Sequence, residues 1–480
     1  MIYDIAIIGA GVVGSAIARE LSRFNFNTVL IEKENDVSCG ASKANSGIVH
    51  GGYDAEPDTL KAQLNVAGNK MFKDLDADLQ FGFNQTGSLV LSFSEDEDDK
   101  LKMLLNRGIT NGLDHLKILT KDQVLKLEPN LSNNVRSALY CEASGVTSPY
   151  ELTIALAENA IANGTTLKLM HEVQSISKTD DVFEINTSGG LIRSSWIINA
   201  AGVYSDKIAD MIGAKTFTIT PRKGEYVLLN KIQGKLVNRV VFQAPTAAGK
   251  GILVTRTYHG NLMLGPNAQE IQVRNDNNTN TDILQHIVET ARKSLPAFNM
   301  NHVLTSFSGI RATSNTKDFV IEASPINKFI NVGGIDSPGL SSAPAIAVYV
   351  RQILENQGLV FTRNETFDPK RKSIIIKKDE TFVGSSSDEN PDLHVICRCE
   401  RVTESEIIDA LHRGIPINSL DSIKRRTRAG MGPCQGQYCG PRVRSLIARE
   451  TGLKEEDILL RGKGSSILPS RPDRADLKKL

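Results

Sequence analysis

Residues 2 to 32 constrain this chain more than any other stretch. An apolar, strand-like run from Ile2 to Ile8 leads into Gly9-Ala10-Gly11-Val12-Val13-Gly14 and then a helix-like run, Ser15 to Leu21. A second strand-like run, Thr28 to Ile31, ends on Glu32. The three glycines serve different ends. Gly9 permits the tight turn, Gly11 lets backbone approach a pyrophosphate, and Gly14 lets the helix pack closely on the sheet with its N-terminus facing the anion. The Glu32 carboxylate is placed to accept the hydroxyl hydrogens of an adenosine ribose. A glycine string alone arises by chance. Strand, glycines, helix, second strand and acid in one unit specify a dinucleotide site on a Rossmann-like α/β domain.

The segment after Glu32 narrows the choice of dinucleotide. Gly40-Ala41-Ser42-Lys43-Ala44-Asn45-Ser46-Gly47-Ile48-Val49-His50-Gly51-Gly52 is too polar and glycine-rich for a core helix and too long for a simple turn. A mobile nicotinamide needs no such second cradle, whereas a permanently held flavin must be wrapped from its far side and laid against bare backbone. Here the sequence resembles the FAD-dependent oxidoreductases of the D-amino-acid oxidase and glycerol-3-phosphate dehydrogenase superfamily. The run NSGIVHGG is similar to the branch holding alpha-glycerophosphate oxidases and L-2-hydroxyglutarate dehydrogenases. The resemblance implies that FAD is held by Gly9, Gly11, Val13, Gly14, Glu32, Lys33, Ala41, Ser42, Ser46, Gly47 and Val49. Further along it adds Val173, through its backbone to adenine, and Ala201, Gly202, Gly334, Gly339 and Leu340.

Composition excludes other classes. The 480 residues carry a formal net charge of +1 and no basic stripe with interleaved aromatics, so there is no footprint for nucleic acid. With 23% charged and 40% hydrophobic residues the chain is an ordinary globular protein, long enough for two or three domains. Met1 stands directly before the first strand, and no stretch holds eighteen apolar residues free of charge and glycine. A cytoplasmic protein without a transmembrane segment is expected, which leaves peripheral membrane association open. Of six cysteines, Cys397, Cys399, Cys434 and Cys439 crowd into the last fifth of the chain, and in a reducing compartment that grouping favours metal over disulfides.

Between these landmarks the pattern alternates. Leu60 to Leu127 reads as a helical excursion with one short strand-like run, Ser88 to Phe93. Ser148-Pro149-Tyr150-Glu151 predicts a capping box opening a helix. Strand-like runs follow at Thr166 to Met170, His171 to Ser177, Val182 to Thr187 and Leu191 to Asn199, the last running into Ala200-Ala201-Gly202. Glu225 to Asn230, Arg239 to Gln243, Ile252 to Thr257 and Leu262 to Gly265 suggest an antiparallel substrate domain laid over the flavin. Phe329 to Val332, a glycine-rich turn and a helix from Ala343 to Glu355 repeat the strand–turn–helix theme, and a helix N-terminus there would stabilise negative charge on a reduced ring.

His50 ends the segment placed against the flavin and is followed by two glycines. A neutral imidazole near pH 7 suits the proton that leaves an alcohol as its hydride moves to flavin, and the resemblance gives this position the same role. Lys250 and Arg311 lie beside glycines in otherwise apolar surroundings; Arg311 can clamp two oxygens in a fork and Lys250 can act as a point charge. The resemblance implies substrate contacts for both, as for Ser46 and Ser341. Arg222, Lys223 and Arg256 are further cationic candidates.

In the C-terminal region, four thiolates satisfy tetrahedral zinc or a [2Fe-2S] cluster. Zinc pairs usually have a two-residue gap, and neither Cys397-Arg398-Cys399 nor Cys434-Gln435-Gly436-Gln437-Tyr438-Cys439 has one. CRCERVT together with RRTRAGMGPCQGQYCG resembles the bacterioferritin-associated-ferredoxin-like [2Fe-2S] domain, which implies a cluster. Arg425, Arg426 and Arg428 flank it, readable either as solvated helix charge or as a docking patch for an acidic electron acceptor. Thr403-Glu404-Ser405-Glu406 predicts a second capping box. The expected organisation is an FAD enzyme over 1–382, a polar linker at 383–392, a small helical cluster domain over 393–460 and a tail at 461–480. The resemblance implies oxidation of sn-glycerol 3-phosphate to dihydroxyacetone phosphate, with electrons leaving through the cluster to a one-electron acceptor or partner redox protein. Oxidation of L-2-hydroxyglutarate is the nearest alternative, and a non-catalytic electron-transfer subunit or redox sensor is a third.

Overall fold

The computed structural model describes residues 1–245, 251–379 and 381–465. It divides into two compact units, one of residues 1–33 and 37–373, the other of residues 34–36 together with the chain from Ile374 onward. Among the described residues no helix is long and apolar enough to cross a membrane.

An eight-stranded sheet forms the centre of the first unit. Its parallel core runs Thr166–Lys168, Thr28–Ile31, Ile2–Ile8, Gly190–Asn199 and Phe329–Gly333. Ile5, Ala6, Ile7, Val29, Leu30, Ile197 and Ile198 are fully buried, and on one face Ala6, Val29 and Ile197 pack with Val173, Ile176, Phe183 and Ile185, so the strands are uniformly apolar. The hairpin Val173–Thr179 and Val182–Thr187 continues from the first half of Gly190–Asn199. The helices Val12–Leu21, Pro149–Ala162 and Gly339–Asn356 pack together over this sheet, and Leu60–Leu79 joins the last of them.

A second, nine-stranded sheet is mostly antiparallel, and its backbone is the ribbon of Ile219–Leu229 with Val303–Ser314, paired over nearly their whole lengths. The region from Leu60 to Leu127 is more than a helical excursion: Ser88–Ser92 pairs with Val240–Gln243 and Ser137–Cys141, and Leu116–Thr120 closes the sheet edge. The fold is therefore Rossmann-like α/β with an antiparallel-sheet domain, as expected.

The two predicted capping boxes part company. At Thr403 the box forms, with the Glu406 side chain accepting the Thr403 N–H at 2.9 Å. At Ser148 the hydroxyl makes no cap, and Glu151 instead meets His259 Nε2 at 2.5 Å. In the second unit, Glu404–Leu411, Leu420–Thr427 and Gly440–Thr451 are helices around a core that already includes Ile374, so the compact unit begins before the polar stretch at 383–392. That stretch folds back on its own unit, with Ser385 bridged to His394.

Candidate active site

The glycine turn after Ile2–Ile8 is built so that side chains would not fit. Gly9 has φ +104°, and a Cβ there would sit 2.5 Å from the Ala200 carbonyl oxygen; a Cβ on Gly14 would overlap Gly9 O. The turn is thus pinched between its own helix and the Ala200-Ala201-Gly202 segment. The helix Val12–Leu21 begins at Gly11 with no side-chain cap and no acid in its first turn, which leaves a positive N-terminus suited to a phosphate. Glu32 Oε2 accepts the Ala10 N–H at 2.8 Å, fixing the acid beside that turn. Lys33 stacks over the Tyr204 ring at 4.0 Å, just after Gly202, while Val173 is buried where its hairpin strand begins.

The second cradle meets the first. Ala41–Lys43 is a single 3₁₀ turn, and Ser42 Oγ accepts the Val12 N–H at 2.8 Å. Asn45 closes the loop through Ala41 O at 3.0 Å and the Gly47 N–H at 2.8 Å. Gly47 has φ +65° and leaves no room for a Cβ beside Thr147 O, and the Thr147 N–H donates to Gly47 O at 2.7 Å. Ser46 lies between these fixed points. Gly334 takes φ +67° in the turn that leads to Gly339 and Leu340 at the start of Gly339–Asn356, a helix with no acid in its first turn.

His50 is 9% exposed. Its N–H donates to Ser341 Oγ at 2.8 Å, its C=O accepts from Asn69 Nδ2 at 2.9 Å, and its ring faces Phe242 with centroids 5.5 Å apart. Ser341 is fully buried, and its hydroxyl also reaches Ile48 O at 3.4 Å.

Cross-strand register decides which cations face this cradle. Arg311, Gly309 and Phe307 stand opposite Arg222, Gly224 and Tyr226, so all six share one face of the ribbon. That face abuts the cradle, because a Cβ on Gly309 would overlap Ala44 O. The Tyr226 and Phe307 rings stack at 4.7 Å, and burial raises the Tyr226 phenol although Arg311, its hydrogen-bond partner, works to lower it. Arg311 has no carboxylate partner among the described residues; its guanidinium reaches only Asn267 O, at 3.4 and 3.5 Å, and Tyr226. Lys223 points to the other face, where Asp276 holds it at 2.9 Å. Arg256 is exposed, and Lys250 lies outside the described residues.

The cysteines of the second unit fall into two pairs. Cys399 and Cys434 have sulfurs 3.8 Å apart and face outward; Cys397 and Cys439 are hydrogen-bonded to each other and buried. The bond from Cys439 brings the Cys397 thiol down to about 6 and pushes Cys439 up. Among the described residues no three His, Cys, Asp or Glu side chains gather round one point as a single-ion site requires. Two pairs suit two irons with two thiolates each.

The flanking arginines correct the sequence reading. Arg425, Arg426 and Arg428 are neither solvated nor available for docking, being 3%, 1% and 5% exposed. Arg426 forks onto Asp36 at 2.6 and 2.8 Å, Arg425 reaches Asp36 at 2.7 Å and Asp421 at 3.1 Å, and Arg428 takes Glu400 at 2.8 Å. Burial works to raise the Asp36 carboxyl, yet Arg426 and Arg425 outweigh it and hold it well below the usual carboxylate range.

Residues 4–353 match the FAD dependent oxidoreductase family, and residues 395–449 match the BFD-like [2Fe-2S] binding domain. The chain belongs to the FAD-dependent oxidoreductases. It is 46% identical to a glycerol 3-phosphate dehydrogenase of Caloramator mitchellensis over 97% of this chain and 98% of that one. A glycerol 3-phosphate oxidase of Mycoplasma genitalium is 34% identical over 73% of this chain and 94% of its own. Among solved structures, the dithionite-reduced, FAD-bound L-alpha-glycerophosphate oxidase of Mycoplasma pneumoniae superposes with a TM-score of 0.74 at 32% identity, covering 77% of this chain and 98% of that one.

The protein is accordingly a flavoprotein oxidoreductase whose cofactors are FAD and a [2Fe-2S] cluster. Its residues fit both: a glycine turn opening a helix with no acid in its first turn for the pyrophosphate, and two thiol pairs for the cluster. Asn69 and Tyr226 carry no sequence signal of this kind. Asn69 is one polar residue on a charged helix, and Tyr226 alternates as any strand residue would.

Proposed function

We propose that the chain oxidises sn-glycerol 3-phosphate to dihydroxyacetone phosphate. The reading is carried by one observation: the glycerol 3-phosphate dehydrogenase of Caloramator mitchellensis matches this chain end to end, across both modules. When bound, FAD accepts the hydride, and the [2Fe-2S] cluster carries electrons singly towards a one-electron acceptor. The chain's own residues bind, orient and deprotonate. Arg311, with no carboxylate to neutralise it among the described residues, offers a planar fork to the substrate's anionic end, and Lys250 adds a second positive charge. His50 Nε2 or Nδ1 takes the proton of the C2 hydroxyl as the C–H hydride departs. Ser46 is a further substrate contact in this reading. Ser341 acts by holding the His50 peptide, since its buried hydroxyl is already engaged there. Cys397, Cys399, Cys434 and Cys439 hold the cluster.

The test is an anaerobic substrate panel scored by loss of flavin absorbance. Glycerol 3-phosphate should bleach the flavin in the first seconds, glycerol should not, and L-2-hydroxyglutarate should be slow. Bleaching by L-2-hydroxyglutarate but not by glycerol 3-phosphate replaces the substrate, and bleaching by no alcohol at all leaves only an electron-transfer role.

A further inference from the structure

The helix Leu60–Leu79 and the helix Gly339–Asn356 touch at backbone level, since a Cβ on Gly68 would overlap the Ser341 carbonyl oxygen. At that point of contact each helix sends one polar side chain to a peptide group flanking the His50 Cα. From one side Ser341 Oγ accepts the His50 N–H, and from the other Asn69 Nδ2 donates to the His50 carbonyl at 2.9 Å. Asn69 Nδ2 also donates to Ala143 O at 2.9 Å, in the turn between the strands Ser137–Cys141 and Gly145–Thr147. Both amide hydrogens are therefore used on carbonyls. A carboxylate has no hydrogen to give and a hydroxyl has only one, so a primary amide is the short side chain that can make this bridge.

We propose that Asn69 is a positioning residue for proton transfer at His50. With its N–H and C=O both held, the His50 peptide has little freedom in φ and ψ, and the Cβ direction follows. The imidazole is then set against Phe242, with 32° between the ring planes. Gly51 lets the chain after His50 lie close against Cys141, because a Cβ there would overlap Cys141 Sγ. The bridge also ties His50 to a turn outside the glycine cradle, so its placement does not depend on the cradle alone. Misplacing a catalytic group by about 1 Å is enough to cost about 100-fold in rate. This assignment rests on the reading of His50 as the base, and the test therefore uses whichever panel substrate bleaches the wild-type flavin.

The variant is Asn69→Asp, which keeps the shape and removes both donated hydrogens, with Asn69→Ser made alongside as a smaller, uncharged replacement. Purified FAD content and the substrate concentration for half-maximal reduction should stay near wild type, while the limiting rate of anaerobic flavin reduction falls about 10- to 100-fold. In a His50→Ala background the same substitution should cost nothing further, because there is no imidazole left to position. An unchanged limiting rate in the FAD-loaded variants would overturn the proposal. So would an equal loss in the His50→Ala background, or recovery of both variants without FAD, either of which makes Asn69 a structural residue. Failure of His50→Ala itself to slow reduction sinks the base assignment instead.

Discussion

The two units solve the problem of holding a charged cofactor in opposite ways. In the first, the candidate site is shaped mainly by backbone: Gly9, Gly14 and Gly47 stand where no Cβ fits, and the helix after the glycine turn has no acid in its first turn. In the second, the ligands are side-chain thiols, two of them packed in the unit's apolar core, and three arginines of the same unit are buried against Asp36, Asp421 and Glu400. A backbone site tolerates substitution wherever a side chain points away and fails wherever a Cβ intrudes. A unit crossed by buried ion pairs depends on each partner being present, because removing one leaves an uncompensated charge.

The sharpest way to separate the units is at the thiols. Cys434→Ser with Cys439→Ser should abolish the electron paramagnetic resonance signal of the dithionite-reduced protein while anaerobic flavin bleaching by substrate stays near wild type. Bleaching lost together with the signal would show that the first unit does not act alone. On the flavin side, His50→Ala should keep FAD and slow flavin reduction by roughly two to four orders of magnitude in stopped-flow absorbance.

Asp36→Asn probes the buried charges, leaving Arg425 and Arg426 without their anion at a cost of about 3–5 kcal/mol in the second unit's stability. The pH dependence has a definite sign. Asp36 has a depressed folded-state pKa, so its contribution is present above the unfolded carboxylate value of about 3.9 and is lost as pH falls towards the folded value. Denaturant melts between pH 7 and pH 3 should show the onset of that loss in wild type and a flatter profile in Asp36→Asn. Arg311→Met comes next, expected to raise the substrate's Michaelis constant about 10- to 100-fold, the value of a charged hydrogen bond or two, with little effect on any residual rate with glycerol. Smallest is Ser42→Ala, which removes the acceptor for the Val12 N–H and should weaken FAD retention by about 1 kcal/mol, read by fluorescence on dilution.

The same contrast explains what the sequence can show. Backbone sites are written locally: glycines at fixed offsets between a strand and a helix can be read in order, and the parallel sheet and cradle follow from them. The four cysteines are equally legible, because few residue types bind metal. Arg425 and Arg426 are not. Their partner Asp36 lies 389 and 390 positions earlier, and nothing in a run of basic residues says that it is buried. The strand Val303–Ser314 is hidden as well, because its small and polar residues give no clean alternation, although Arg311 within it stands out beside its glycine. Asn69 depends on two carbonyls, of His50 and Ala143, brought together only by the tertiary fold.

One anaerobic titration bears most directly on the division of labour between the two units. Wild-type protein is mixed with increasing glycerol 3-phosphate, and flavin absorbance and the cluster's electron paramagnetic resonance signal are followed in the same samples. Flavin bleaching accompanied by the reduced-cluster signal, with slow turnover and little peroxide once oxygen is admitted, is the expected result. Full bleaching with a silent cluster, and peroxide formed in step with substrate consumed, would contradict it.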